Sequence, residues 1–411
     1  LDRKHNIKFT AIHKTTTKSG TEQKISSNHC FSCHLTSQSA DVDQVIHQIV
    51  AGLQGDIGKQ TVGYEFGYRS FKSDAFEPMA WYDPAVHPVF GTSGAEFGTR
   101  VSIDNASAAF SAYPKTEKVS HKIRANGKAF KGKYTGSIGY SRVENDVSDI
   151  KSSAITGAVA YSTILSPRAR LVARFSVAQL KTDDYDVDLP TFRDGRPGVQ
   201  IDFDYTRYSA LNRLDGKSSV ELTYRYKPNI TLAALVGYNI VNRDDYPIYD
   251  DGQKSNTFIG QIKAKYNKGM RYATRIKYRI EMTSDPFMSG RGLFEMNGRD
   301  SLEQLAPGFG FIFYHQREEL RYQNITTLPT MAHIFEWNST WKPNNEIDIN
   351  IGLKGSIDEN SDLDSLDVKH SSLIPNLALN FRPQSNLSFV LGGTYNMYKS
   401  RGPVSVALFD G

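Results

Sequence analysis

Side-chain character alternates with a period of two over segments far longer than an ordinary strand. In VGYEFGYRSF, Val62, Tyr64, Phe66, Tyr68 and Ser70 alternate with Gly63, Glu65, Gly67, Arg69 and Phe71. Further on, Val220, Leu222, Tyr224 and Tyr226 face away from Glu221, Thr223 and Arg225. The same holds for Tyr272, Ile276 and Ile280 against Arg275, Lys277 and Arg279, and for Ile349 and Ile351 against Asp348 and Asn350. Leu377, Leu379 and Phe381 likewise face away from Asn376, Asn380 and Arg382. A strand with charge on one face and apolar side chains on the other separates water from an apolar medium. Strands of globular proteins usually stop near ~5–6 residues. Segments twice that length argue against a soluble sandwich or a β-helix, and no fixed repeat supports a propeller or solenoid.

The connections sharpen this. LSPRA (165–169), YKPNIT (226–231), YNKGMR (266–271), WKPNNE (341–346) and FRPQSN (381–386) have the Pro, Gly and Asn content of tight antiparallel turns. Between them lie long polar stretches at 181–198, 241–255, 282–308 and 357–369. Short turns at one end, long loops at the other and aromatics near strand ends (Tyr224, Tyr238, Tyr266, Tyr278, Trp337, Trp341, Tyr395, Tyr398) form the pattern of a transmembrane β-barrel. The expected fold is therefore all-β, an antiparallel barrel of about 16–18 strands in the bacterial outer membrane. Strand parity between Thr61 and Arg142 is not set by these connections. The chain opens on Leu-Asp-Arg-Lys and ends on ALFDG, not on a closing strand with a terminal aromatic; either a removed leader or further upstream residues, and further strands, are the expectation.

Residues 1–57 read differently. They carry both cysteines of the chain and five of its ten histidines. Val42, Val45, Ile46, Ile49, Val50 and Leu53 fall at helical spacing, with Gly55 and Gly58 after them. The expectation is a short, partly helical segment over 1–57, followed by the barrel over 58–411.

Cys30-Phe31-Ser32-Cys33-His34 is a CxxCH. Two thiols at this spacing form thioethers to both vinyl groups of one haem, and the adjacent His meets the iron. With two cysteines in 411 residues, the match is more specific than in a Cys-rich chain. A CxxC disulfide remains open, as an exported protein permits it. A zinc shared with His34 lacks the second CxxC or HxxxH that would complete it. For the second haem ligand, His47 on the expected helix and His13 on a polar extended stretch are the candidates. His29 is too close to Cys30 to reach the far face, and His5 is weaker. His87, His121, His315, His333 and His370 read as loop or wall residues.

Nothing here suggests an enzyme: no Walker loop, GxSxG or HExxH is present. A net charge of +5 from 49 basic and 44 acidic residues is no nucleic-acid footprint. The lumen charges Arg271, Arg275, Lys277 and Arg279, against Asp202, Asp204 and Glu221, read as a solvated or partner-facing wall.

A CxxC segment (30–33), VDQVIHQIVAGL (42–53) and an opening strand GYEFGYRSF (63–71) together resemble the porin partners of decahaem cytochromes, the Mtr/Pio type of porin–cytochrome conduit. Members often have CxxC without the His that follows here. The resemblance implies a sheath around multihaem c-type cytochromes in the lumen and at its mouths, passing electrons across the lipid bilayer. One covalent haem c would extend the chain of carriers from the periplasmic side. The other reading of the same sequence is a general diffusion porin with an N-terminal disulfide; an outer-membrane enzyme using the haem lacks a visible distal acid/base pair.

Overall fold

The computed structural model describes residues 6–402, apart from 28–34, 85–104, 112, 147–148, 188–191, 194–199, 202–204, 208, 210, 244–252, 288–293, 297–325, 327 and 361–367. It is all-β, with no helix among the described residues.

Sixteen strands form one antiparallel sheet. They are β1 (Lys8–Ser27), β2 (Leu35–Ile57), β3 (Gln60–Ser73), β4 (Thr116–Ala129), β5 (Gly132–Asn145), β6 (Lys151–Ser166), β7 (Ala169–Thr182) and β8 (Arg213–Lys227). After these come β9 (Ile230–Arg243), β10 (Gln253–Lys268), β11 (Tyr272–Ser284), β12 (Met331–Trp341), β13 (Ile347–Asn360), β14 (Val368–Gln384), β15 (Leu387–Thr394) and β16 (Met397–Arg401). Each strand pairs with its neighbours in sequence, so the wall is a plain meander. At its end, β15 and β16 lie one after the other along β14. The two edges, β1 and β15–β16, run in the same direction, and no described residue pairs one to the other.

The connections segregate as the turn chemistry requires. Tight turns after β2, β4, β6, β8, β10, β12 and β14 all lie at one end. The strand ends that border 74–115, 183–212, 244–252, 285–330 and 361–367 lie at the other. The early strands follow the same rule. Their parity is hidden in the sequence because the 146–150 link at the loop end is as short as a turn, while the turn after β4 is Phe130-Lys131. Phe130 takes the positive φ (51°) that a Gly or Asn would ordinarily supply there.

Register fixes which residues share a face. Leu222 pairs with Leu171 and Ala234, Ile276 with Trp337, and Ile351 with Ser339 and Leu377. This face is apolar and largely exposed: Val236 is 57%, Ile262 61% and Leu377 54% accessible. Tyr224, Tyr266 and Trp341 mark its turn end and Tyr238 its loop end, while Tyr278 sits mid-belt opposite Ile262. From Phe258 to Tyr266 the belt on β10 is nine residues long, within the length that spans a bilayer. The opposite face is polar. Lys277 meets Glu336 on the next strand at 2.8 Å, and Lys263 reaches across β9 to Glu221 at 2.8 Å. Residues of β4 and β11 line one cavity on this polar face, so the sheet curls with its polar side concave. Tyr398, expected among the aromatics of a membrane interface, lies instead on this concave side, stacked on His370 at 6.3 Å.

The expected N-terminal helix is not there. Residues 40–53 lie inside β2, paired to β1 throughout and to β3 from Gln44 onward. Val45, Ile49 and Leu53 fall on one face and Val42, Ile46 and Val50 on the other. Apolar residues on both faces of a strand mimic a 3.6-residue stripe, and the β-branched composition tips the choice to strand.

Candidate functional site

The β1–β2 hairpin is longer than the wall it belongs to. β3 pairs with β2 only over Gln44–Ile57, while β1 and β2 continue together to Ser27 and Leu35. The nine residues 35–43 therefore carry the hairpin about 30 Å past the edge of β3, at ~3.4 Å per residue. Gly20 sits at the departure point, opposite Val42, with a φ of +141° that L-residues rarely adopt.

The extension is propped by the excursion 74–115. The Gln38 side-chain amide donates to the Met79 carbonyl at 2.9 Å. Tyr113 donates its hydroxyl proton to Glu22, and Lys24 both pairs with Glu22 at 2.8 Å and contacts Tyr113. These bonds, with Lys18, pull the Glu22 carboxyl down to about 2; the hydrogen bond from Lys24 is the largest cause. On the same extension Ala40 and Val42 are among the most buried side chains of the wall, at 8% and 4%.

Cys30, Cys33 and His34 lie outside the described residues, as do His5, His29, His87, His315, Asp202 and Asp204. What the register fixes is where their connection belongs. Residues 28–34 join Ser27 to Leu35, which face each other, at the end of the wall that carries the long loops. A five-residue CxxCH fits within this seven-residue link, and two thiols with an adjacent imidazole are the donor set a covalent haem takes.

The expected second ligands do not fit. His47 is twelve residues along β2 from Leu35, about 40 Å at ~3.3 Å per residue, and His13 is fourteen residues back from Ser27. His34 is bonded to Leu35, so no fold of the link brings an iron on His34 to either ring. His13 and His47 instead sit together on the apolar face, their rings stacked at 5.8 Å with Thr15 Oγ1 between them, 3.4 Å and 3.2 Å from the two imidazoles. The other described histidines are wall residues: His121 bonds Tyr64 and His333 bonds Tyr278, each at 2.7 Å, and His370 bonds Ser400 at 2.8 Å. No group of three or more metal-ligating side chains occurs among the described residues.

Sequence reasoning passed over the charge of the concave face between β4 and β9. β4 turns Lys118, Lys122, Arg124 and Lys128 inward with no carboxylate on that face. The signal was present, as basic residues at alternate positions in KVSHKIRANGK (118–128).

No family model matches the chain, and no curated protein matches it in sequence. Among solved structures it is similar to the copper transporter OprC, at 7% identity and a TM-score of 0.51, covering 96% of this chain and 61% of that one. It also aligns with the ferric-catecholate import receptor Fiu of E. coli K12 (9% identity, TM-score 0.48, 97% of this chain and 64% of that one). The anion-selective porin of Comamonas acidovorans aligns at 11% identity and a TM-score of 0.30, over 96% of this chain and all of that one. The chain has the fold of an outer-membrane β-barrel wall. It spans about three fifths of the length of the copper transporter.

Proposed function

We propose that this chain is the wall of an outer-membrane electron conduit and that it bears one covalent haem on Cys30 and Cys33, with His34 as proximal ligand. One observation carries the reading: the only two cysteines of the chain, followed by a histidine, fall in the connection of a hairpin that outreaches the wall. A haem held there supplies a one-electron carrier. The chain's own contribution is mechanical and electrostatic. Gly20 supplies the unusual backbone angle where the hairpin leaves β3, Tyr113, Glu22 and Lys24 brace it, and the apolar belt insulates the lumen from lipid.

Long loops are extracellular and short turns periplasmic in outer-membrane barrels. The hairpin connection therefore belongs to the cell-surface side, which replaces the periplasmic placement expected from sequence. With His13 and His47 out of reach, the second axial ligand comes from outside the described wall. A carrier at one mouth does not cross a hydrocarbon core of about 30 Å. The chain has no second CxxCH, so the remaining carriers belong to a multihaem c-type cytochrome in the lumen. No enzymatic role is proposed.

The intact mass of the chain tests the attachment. It should exceed the polypeptide by one haem, and the denatured band should stain for haem. A mass equal to the bare chain, or lower by two hydrogens, gives free thiols or a disulfide. A diffusion porin is the second reading, favoured by a polar concave face whose cations reach solvent.

A further inference from the structure

The concave face between β4 and β8 holds a trough of small side chains with cations on both rims. Three adjacent rows cross the strands. Arg124, Ser137, Ala158, Ser176 and Lys217 pair successively from β4 to β8. Beside them run Asn126, Thr135, Ala160 and Arg174, and on the other side Lys122, Gly139, Thr156, Ala178 and Asp215. The floor on β5 and β6 thus bears nothing larger than Thr, so a ligand can approach the backbone. The cavity over it measures about 690 Å³, and Arg279 of β11 closes its far side.

The charges are not balanced locally. Arg279 is held by Glu281, Arg124 has Glu65 at 3.6 Å, and Asp215 at the rim is taken by Arg213 at 3.1 Å. Among the described residues no carboxylate forms an ion pair with Lys122, Arg174 or Lys217; Glu65, opposite Lys122 on β3, turns to Arg124. Cations facing one small-residue floor repel until an anion lies between them, and a concave wall with an excess of cations over carboxylates concentrates anions.

We propose that this trough is a binding site for multivalent anions, taking clustered carboxylate or phosphate groups. The groups come either from a dissolved solute or from the surface of a partner seated in the lumen; the chemistry is the same. The site does not depend on the haem at Cys30 and Cys33.

The test uses the full chain with whatever co-purifies, tripolyphosphate as probe, and the triple variant Lys122→Gln, Arg174→Gln, Lys217→Gln. Lys268→Gln, at the turn end of β10, is the control. Heat-modifiable migration on gels verifies that each variant folds. If the lumen is free, tripolyphosphate binds the wild type and the control saturably, and the triple variant at least ten-fold more weakly. If a partner fills the lumen, the wild type excludes the probe and the triple variant sheds its partner at lower salt than the wild type does. Equal probe affinity in wild type and triple variant, or partner retention indifferent to both salt and substitution, overturns the proposal. Loss of the conduit reading looks different: no haem and no cytochrome, with the probe still bound.

Discussion

Leu222, Ile276 and Ile351 point outward from the middle of three separate strands, and β8 and β11 also carry inward positions that a long cation can occupy. Lys at any of the three should impair assembly by about 2–4 kcal/mol, the cost of a charge on the lipid face near the midplane. Thr223→Lys, one residue from Leu222 on β8, and Ala273→Lys, three residues from Ile276 on β11, should assemble close to normally, as measured by the heat-modifiable fraction recovered from membranes. Equal recovery of the two sets would mean that the faces are reversed or that no bilayer is involved. Gly352 is also inward but does not serve as a control. A Cβ there would come within 2.4 Å of the Asn376 amide. At this scale the sequence was most legible, because a period of two leaves only two faces and hydrophobicity separates them. Histidine roles were not legible: His13 and His47 are brought together by the β1–β2 register, which depends on pairings 34 residues apart.

The β1–β2 hairpin is the element on which the functional reading turns, and two residues control its extension. Gly20 holds a φ open to glycine, with nothing within 4 Å of where a Cβ would stand. Gly20→Ala therefore strains the backbone without a clash, at a cost of about 1–3 kcal/mol. The expected result is faster proteolytic cleavage within residues 20–43 with the rest of the wall unaffected; wild-type resistance would show that the extension does not depend on the Gly20 backbone. Glu22 sets a pH limit. Its folded pKa, about 2 against the ordinary 4.5, is depressed, so its contribution is complete above about 4.5 and is lost as pH falls through about 2. Pepsin should leave the extension intact at pH 4 and cut it as the pH approaches 2. Glu22→Gln should be cut at both, and a wild type cut at pH 4 would contradict the assignment. The strand identity of β2 escaped sequence analysis because it is apolar on both faces. Its length escaped too, since nothing local in residues 8–57 announces that β3 stops short.

As a whole molecule, the wall is a fifteen-lane meander with a basic concave face, an apolar convex belt and one hairpin rising from its loop end. Turn chemistry made the two ends legible, since Pro, Asn and Gly cluster at links that must be tight. The content of the lumen was not legible, because what fills a barrel leaves its mark only as unbalanced charge on alternate residues. The sheath reading requires that the lumen pass electrons and not solutes. The measurement that bears on this most directly is made on liposomes reconstituted with the detergent-extracted barrel and its co-purifying proteins. They enclose a redox dye too large for a free haem-less leak to matter and a small marker sugar. With reductant outside, the enclosed dye should be reduced while the sugar is retained, and His34→Ala should slow the reduction. Rapid sugar loss from a barrel that carries no cytochrome, with no dye reduction beyond leakage of the reductant, would contradict the conduit and leave a diffusion porin.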